Sequence, residues 1–142
     1  MAHVYDDGGR AAAGFKGSAG DCVTRAVAIA TGKPYREVYD LLADGAGNER
    51  KSKGRSARNG IRTGRKWFKD TMKALGFSWT PTMKIGSGCK VHLKPEELPS
   101  GRLVVSVSKH MVAVIDGVIH DTFDCSREGT RCVYGYWKEV AL

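Results

Sequence analysis

Residues 110–123 read HMVAVIDGVIHDTF, two alternating apolar runs joined by Asp116-Gly117. Asp-Gly between such runs is a strong hairpin signal, because a two-residue type I′ loop needs positive φ at both central positions. The register follows from the loop. Ile115 faces Val118, Val114 faces Ile119, Val112 faces Asp121 and His110 faces Phe123. Side chains alternate along a strand, so His110, Val112 and Val114 share a face with Ile119, Asp121 and Phe123. His110 and Asp121 are then diagonal neighbours, and His120 points the other way.

On either side of this hairpin the β-like texture continues. FSWTPT, KVHL, RLVVSVS and CVYGYWKEV are short runs separated by the Gly-rich IGSGC and the PEELP turn. Gly86-Ser87-Gly88 reads as a turn, since a phosphate-cradling loop needs a strand before it and a helix after it. Tyr134, Tyr136 and Trp137 belong to a last strand, where aromatics suit a half-buried sheet.

The N-terminal half has helical spacing instead. In DCVTRAVAIATG, residues 21–32, apolar Val23, Ala26, Val27 and Ala30 fall at i, i+3, i+4 and i+7, with Asp21 as N-cap and Gly32 as the C′ stop. A helix therefore begins at Cys22. Pro34 suits the first position of a second helix, along which Tyr35, Val38, Tyr39 and Leu42 repeat the spacing until Asp44-Gly45. Thr63 is placed to cap a third, with Trp67, Phe68, Met72 and Leu75 on one face. Residues 1–20, rich in Gly and Ala, read as an irregular leader. Helices first and strands second predict an α+β fold, N-terminal helices packed on an antiparallel β-sheet. At 142 residues the chain should form a single domain.

From Arg50 to Lys66 the run RKSKGRSARNGIRTGRK carries eight basic residues and no acidic one, so it reads as a mobile basic loop at 50–66. Within a net charge of +8, it favours acidic partners. Arg50, Lys51, Lys53, Arg55, Arg58, Arg62 and Arg65 are the candidates for holding an acidic substrate or a nucleic-acid backbone. The loop lacks interleaved aromatics and a recognition helix, which argues against specific base reading. The start MAHVYDDGGR has no apolar signal-peptide core and no stretch approaches membrane-span length, so the expected location is cytoplasmic, with no membrane partner.

Four cysteines in such a chain are expected to be reduced rather than paired, and each is a candidate for chemistry. Cys89 and His92 with Cys125 and Cys132 have the ligand types of a structural zinc site, but C-x2-H is short and C-x6-C is wide for one. Buried small cysteines or a reversible Cys125–Cys132 bridge explain them more simply, so no metal or cofactor is expected. Cys22 is different. At the first turn of a helix, free backbone N–H groups and the positive dipole end favour thiolate, although Asp21 opposes it. His110 supplies a base and Asp121 a group to orient it, which completes the requirements of nucleophilic thiol catalysis.

The order GDCVTRAVAIATG followed by KHMVAVIDGVIHDT resembles the papain-like cysteine peptidase superfamily over residues 20–32 and 102–124, with its compact bacterial and phage branches nearest. Those branches include bacteriocin-leader-processing peptidases and cell-wall endopeptidases. The resemblance implies a papain-like core and a thiol hydrolase cleaving a peptide or isopeptide bond through catalytic Cys22, His110 and Asp121. It also implies an oxyanion hole, to which such enzymes commonly contribute a Gln upstream of the cysteine. This chain contains no Gln. The Cys22 N–H would need a second donor, for which Lys16 and Ser18 are the candidates. Two alternatives differ in substrate: a non-catalytic nucleic-acid-binding accessory protein of phage or mobile-element origin using the basic loop, and a peptidoglycan endopeptidase.

Overall fold

The computed structural model describes residues 1–15, 21–47, 61, 63–84 and 86–140. In chain order these form β1 (His3–Tyr5), α1 (Cys22–Thr31), α2 (Tyr35–Gly47), α3 (Lys66–Ala74), β2 (Phe77–Pro81), β3 (Arg102–Val107), β4 (His110–Ile115), β5 (Val118–Asp121) and β6 (Val133–Glu139), with a 3₁₀ turn at Pro95–Glu97. The fold is α+β. One six-stranded sheet has the order β1-β5-β4-β3-β6-β2.

The sheet is mixed, which corrects the expectation of an antiparallel one. Its parallel pair is β1 with β5, His3 opposite Ile119 and Tyr5 opposite Asp121. The leader thus supplies an edge strand. Only three residues pair, too few for alternation to mark them in the sequence.

The helices cover one face of the sheet. Residues Val23 to Ala30 of α1 are all buried, Val27 and Ala30 completely. They pack with Tyr35, Val38 and Leu42 of α2, Phe68 and Met72 of α3, and Val104, Met111, Ala113 and Trp137 of the sheet. Leu103, Val105, Val112, Val114, Ile119 and Val133 form a second core on the opposite face, closed by Leu93, Leu98 and Cys125 from the connecting segments. A helix buried nearly all round is held by packing rather than by surface propensity.

The helix ends differ in part from their sequence reading. α1 begins at Cys22 and stops at Gly32, whose φ of 72° lets its N–H bond the carbonyls of Ala28 and Ile29. Asp21, however, makes no side-chain cap, because a buried guanidinium and a phenol take its carboxylate instead. Thr63 is not the cap of α3 either. That helix starts at Lys66 with Arg65 at the cap position and no side-chain cap bond. α2 continues past Asp44-Gly45 to Gly47.

The β4–β5 hairpin turns where Asp116-Gly117 required, with φ of 48° and 81°. Its ladder pairs Ile115 with Val118, Val114 with Ile119 and Ala113 with His120, and then ends. The Val112–Asp121 and His110–Phe123 pairs expected from simple continuation do not form, and Asp121 pairs with Tyr5 of β1. At the other end of β4, a tight connection through Ser108 and Lys109 pairs His110 with Val107 of β3. Gly117→Ala should lower the urea-unfolding free energy by about 1–2 kcal/mol, the penalty of a Cβ in the left-handed region. Equal stability of wild type and variant would show that the turn does not set this register.

Candidate active site

Cys22 is the first residue of α1 and half-buried. His110 opens β4 and Asp121 closes β5. All three meet at one corner, where the start of the central helix reaches the sheet. Strict alternation would send His110 and Asp121 to the face away from α1, alongside Val112 and Val114. Both escape it because they stand at strand ends, beyond the last rung of the β4–β5 ladder.

His110 Nε2 lies 2.7 Å from Asp121 Oδ2. With that nitrogen engaged by the carboxylate, Nδ1 is the ring atom left for the thiol, and Cys22 is hydrogen-bonded to the imidazole. Burial disfavours charge on both groups. Hydrogen bonds from His110 and from the Met111 backbone nevertheless lower the thiol below its usual range, helped by the charges of His110 and Arg25. Burial likewise opposes charge on His110, but bonds with Asp121, Cys125 and Cys22 raise it to about 11. Both shifts, the thiol down and the imidazole up, favour the thiolate–imidazolium form of the pair.

Asp121 is 2% exposed and its partners divide its carboxylate. Oδ2 serves His110, while Oδ1 accepts from Arg25 Nε at 3.0 Å, Arg25 Nη2 at 2.9 Å and the Thr122 N–H at 2.7 Å. Against burial, which raises it, these partners hold the carboxyl below the ordinary carboxylate range. Arg25 also donates from Nη1 to Asp21 Oδ1 at 2.6 Å. The other Asp21 oxygen accepts the Tyr35 hydroxyl at 2.7 Å, and Arg10 Nη1 donates to that hydroxyl at 3.0 Å. Burial and the Asp21 contact push the Tyr35 phenol up to about 12, so it stays a donor.

Arg25, Tyr35 and Arg10 are the functional neighbours that sequence reasoning did not find. One signal was available: Asp21 and Arg25 stand four apart on a helix, the spacing of a side-chain ion pair. Cys125 was missed in this role too. Its buried thiol lies within 4.8 Å of a ring nitrogen of His110 and helps to raise the imidazole, and Phe123, half-exposed, lies against the ring with centroids 5.4 Å apart.

The remaining cysteines correct an expectation. Cys89 and Cys132 form a disulfide, in place of the Cys125–Cys132 bridge or four reduced thiols. Residues 91–93 run antiparallel to 131–133, with Leu93 N–H bonding Arg131 O and Val133 N–H bonding Val91 O, and this long-range pairing brings the two sulfurs together. A zinc site from Cys89, His92, Cys125 and Cys132 is thereby dismantled. His92 turns to Glu97 and Cys125 to His110.

A cleft of about 330 Å³ opens over Cys22 and His110, walled also by Ile61, Thr63, Ser106 and Lys109. An adjoining hollow of about 230 Å³ shares Thr63 and Ser106 and is completed by Trp79, Tyr134, Trp137 and Lys69. Among the described residues, neither contains a carboxylate. The oxyanion-hole candidates Lys16 and Ser18 lie outside the described residues, as do Arg50, Lys51, Lys53, Arg55, Arg58 and Arg62 of the basic run. Arg65, from the same run, stands at the start of α3, away from the thiol's lining. No helix among the described residues is long and apolar enough to cross a membrane.

No family model, curated protein or solved structure matches the chain.

Arg25→Met should destabilise the protein by about 3–5 kcal/mol at neutral pH, because it strands buried carboxylates without their cation. The deficit should shrink on acidification. In wild type the depressed Asp121 pKa contributes stability above the unfolded carboxylate range and loses it as pH falls through the folded value, and the variant lacks that contribution. Urea titrations of both proteins across the acid range test this; a pH-independent gap would refute the assigned linkage.

Proposed function

We propose that this protein is a thiol hydrolase with a papain-like core, cleaving a peptide or isopeptide bond through Cys22, His110 and Asp121. The observation that carries the proposal is the connected line from a helix-start thiol to an imidazole to a buried carboxylate. The order cysteine on a helix, then histidine and aspartate on a sheet, supports the same reading.

Cys22 thiolate attacks the carbonyl carbon, and negative charge develops on the carbonyl oxygen near the first N–H groups of α1, where the helix dipole favours it. His110, protonated at rest, gives its proton to the departing amine as the tetrahedral intermediate collapses to a thioester. It then takes a proton from water, which attacks the thioester and frees the acid and the thiolate. Asp121 keeps Nε2 protonated throughout, so the nitrogen toward the sulfur exchanges the proton. Arg25 holds the second carboxylate oxygen and thereby fixes the aspartate that orients the imidazole.

The cleft suits an acidic peptide. Lys109 lines it, Lys69 lines the adjoining hollow, no carboxylate among the described residues lines either, and the chain's net charge is +8. In the hollow, Trp79, Tyr134 and Trp137 offer an aromatic floor for a large apolar side chain one or two residues from the scissile bond.

Iodoacetamide labelling of Cys22, followed by peptide mass mapping against pH, is the direct test of the pair. Fast labelling should persist well below the ordinary thiol range near pH 8.5, and His110→Ala should move it back toward that value. A Cys22 that titrates like a free thiol would overturn the proposal. On a cleaved peptide substrate, Cys22→Ala should abolish turnover and His110→Ala should reduce it by roughly 10²–10⁴-fold. Trp79→Ala should raise KM for substrates with an aromatic residue beside the scissile bond while leaving iodoacetamide labelling unchanged; an unchanged KM would remove the hollow from the binding site.

A further inference from the structure

Cys125 is a buried thiol for which the hydrolytic cycle has no use, yet it stands beside His110 and Asp121. It is 2% exposed, is not part of the disulfide and lies with its sulfur within 4.8 Å of a His110 ring nitrogen. One ring nitrogen of His110, one carboxylate oxygen of Asp121 and the Cys125 sulfur all lie within 4.8 Å of one another. A tetrahedral zinc ion with bonds of about 2.0–2.3 Å holds its donors roughly 3.5 Å apart, so the three need shift by only about 1 Å to embrace one.

We propose that His110, Asp121 and Cys125 form a site for a borderline-soft divalent cation, Zn²⁺ above all, whose occupation switches off Cys22. The donor set is one imidazole, one carboxylate and one thiolate, the ligand types that select zinc over the hard oxygen-seeking cations. Charge balances, since thiolate and carboxylate together neutralise the ion. Binding releases two protons to solvent, one from the Cys125 thiol and one from the imidazolium. Arg25 and the Thr122 N–H hold Asp121 Oδ1, the outer-shell support that metal-binding carboxylates use, and the ion takes Oδ2 by replacing its hydrogen bond with His110 Nε2. Cys89 and Cys132, bonded to each other, cannot compete.

The consequence for Cys22 follows from the imidazole. A neutral ring has one lone pair; an ion bound through Nε2, the nitrogen beside Asp121, uses it, so Nδ1 keeps its hydrogen and the ring can no longer take the thiol's proton. This consequence rests on the thiol-hydrolase reading, whereas the metal site does not.

The test uses the full chain with Zn²⁺ or Co²⁺ alone as probe. Co²⁺ should produce a sulfur-to-metal charge-transfer band in wild type and equally in Cys22→Ser, where Cys125 is the remaining free thiol. Cys125→Ser should lose the band and weaken Zn²⁺ binding by more than the roughly 10–100-fold that loss of an outer-shell partner brings. Zn²⁺ should slow iodoacetamide labelling of Cys22 in wild type, reversibly on chelation, and fail to do so in Cys125→Ser. The Cys22→Ser spectrum decides the matter even where Cys125→Ser does not fold. Absence of the band in Cys22→Ser, or no Zn²⁺ binding to wild type, overturns the metal site. A band in Cys22→Ser from a protein without amide-cleaving activity upholds the site while removing the catalytic reading.

Discussion

Arg25 ties the start of the central helix to the end of a sheet strand, and the placement of the candidate site depends on it. A single guanidinium reaches Asp21, one residue before Cys22, and Asp121, which holds His110. Removing the two carboxylates from water is costly, and only a buried cation with several hydrogen bonds makes it tolerable. Apolar contacts of α1 with Val104 and Ala113 press the helix on the sheet through a force that has no direction of its own. The bonds of 2.6–3.0 Å are directional. The ion-pair network therefore sets the position of the thiol, while hydrophobic burial supplies most of the stability.

The same network explains why Asp21 does not weaken Cys22 as its charge would suggest. As a free N-cap it would stand beside the sulfur and repel the thiolate. Its two oxygens are instead spent on Arg25 and Tyr35, and Arg10 approaches within 3.9 Å of the second one. The side of the corner nearest the sulfur then has cationic character from His110 and Arg25. Both charges lower the thiol.

Much of this was legible in the sequence because it is local. Asp116-Gly117 fixes a turn by φ alone, Gly32 stops a helix by φ alone, and the i, i+4 apolar spacing from Val23 to Ala30 identifies the buried helix. The nearness of His110 to Asp121 came from turn geometry, although the ladder ends before it and the contact is made by side chains at loosened strand ends. What the sequence hides is non-local. Nothing in HVY announces a parallel edge strand, nothing near Cys89 names Cys132 as its partner, and a side chain on the helix chooses Asp121 only after helix and sheet have docked. Asp21 illustrates the rule from the opposite direction. Its local preference is to cap, and the charged Arg25 four residues on, together with the distant Tyr35 hydroxyl, outcompetes a backbone N–H.

The division of Asp121 between two oxygens bears on how the site could tolerate the absence of the customary glutamine. In a site where the oxyanion is weakly held, more of the barrier must be lowered by the nucleophile and by prompt protonation of the leaving amine. An imidazole raised to about 11 is a persistent acid but a reluctant one. In the proposed cycle it would give up its proton only when the thiolate that stabilises it is consumed by attack on the carbonyl, because the charge pair that raises His110 would disappear as the carbon–sulfur bond forms. Proton release is thereby coupled to bond formation, and Asp121, anchored on Oδ1 by Arg25, cannot follow the ring to blunt that change. A rigid aspartate makes the imidazole's acidity depend on the state of the sulfur, which is the property a Cys22–His110 pair needs at each half of the cycle.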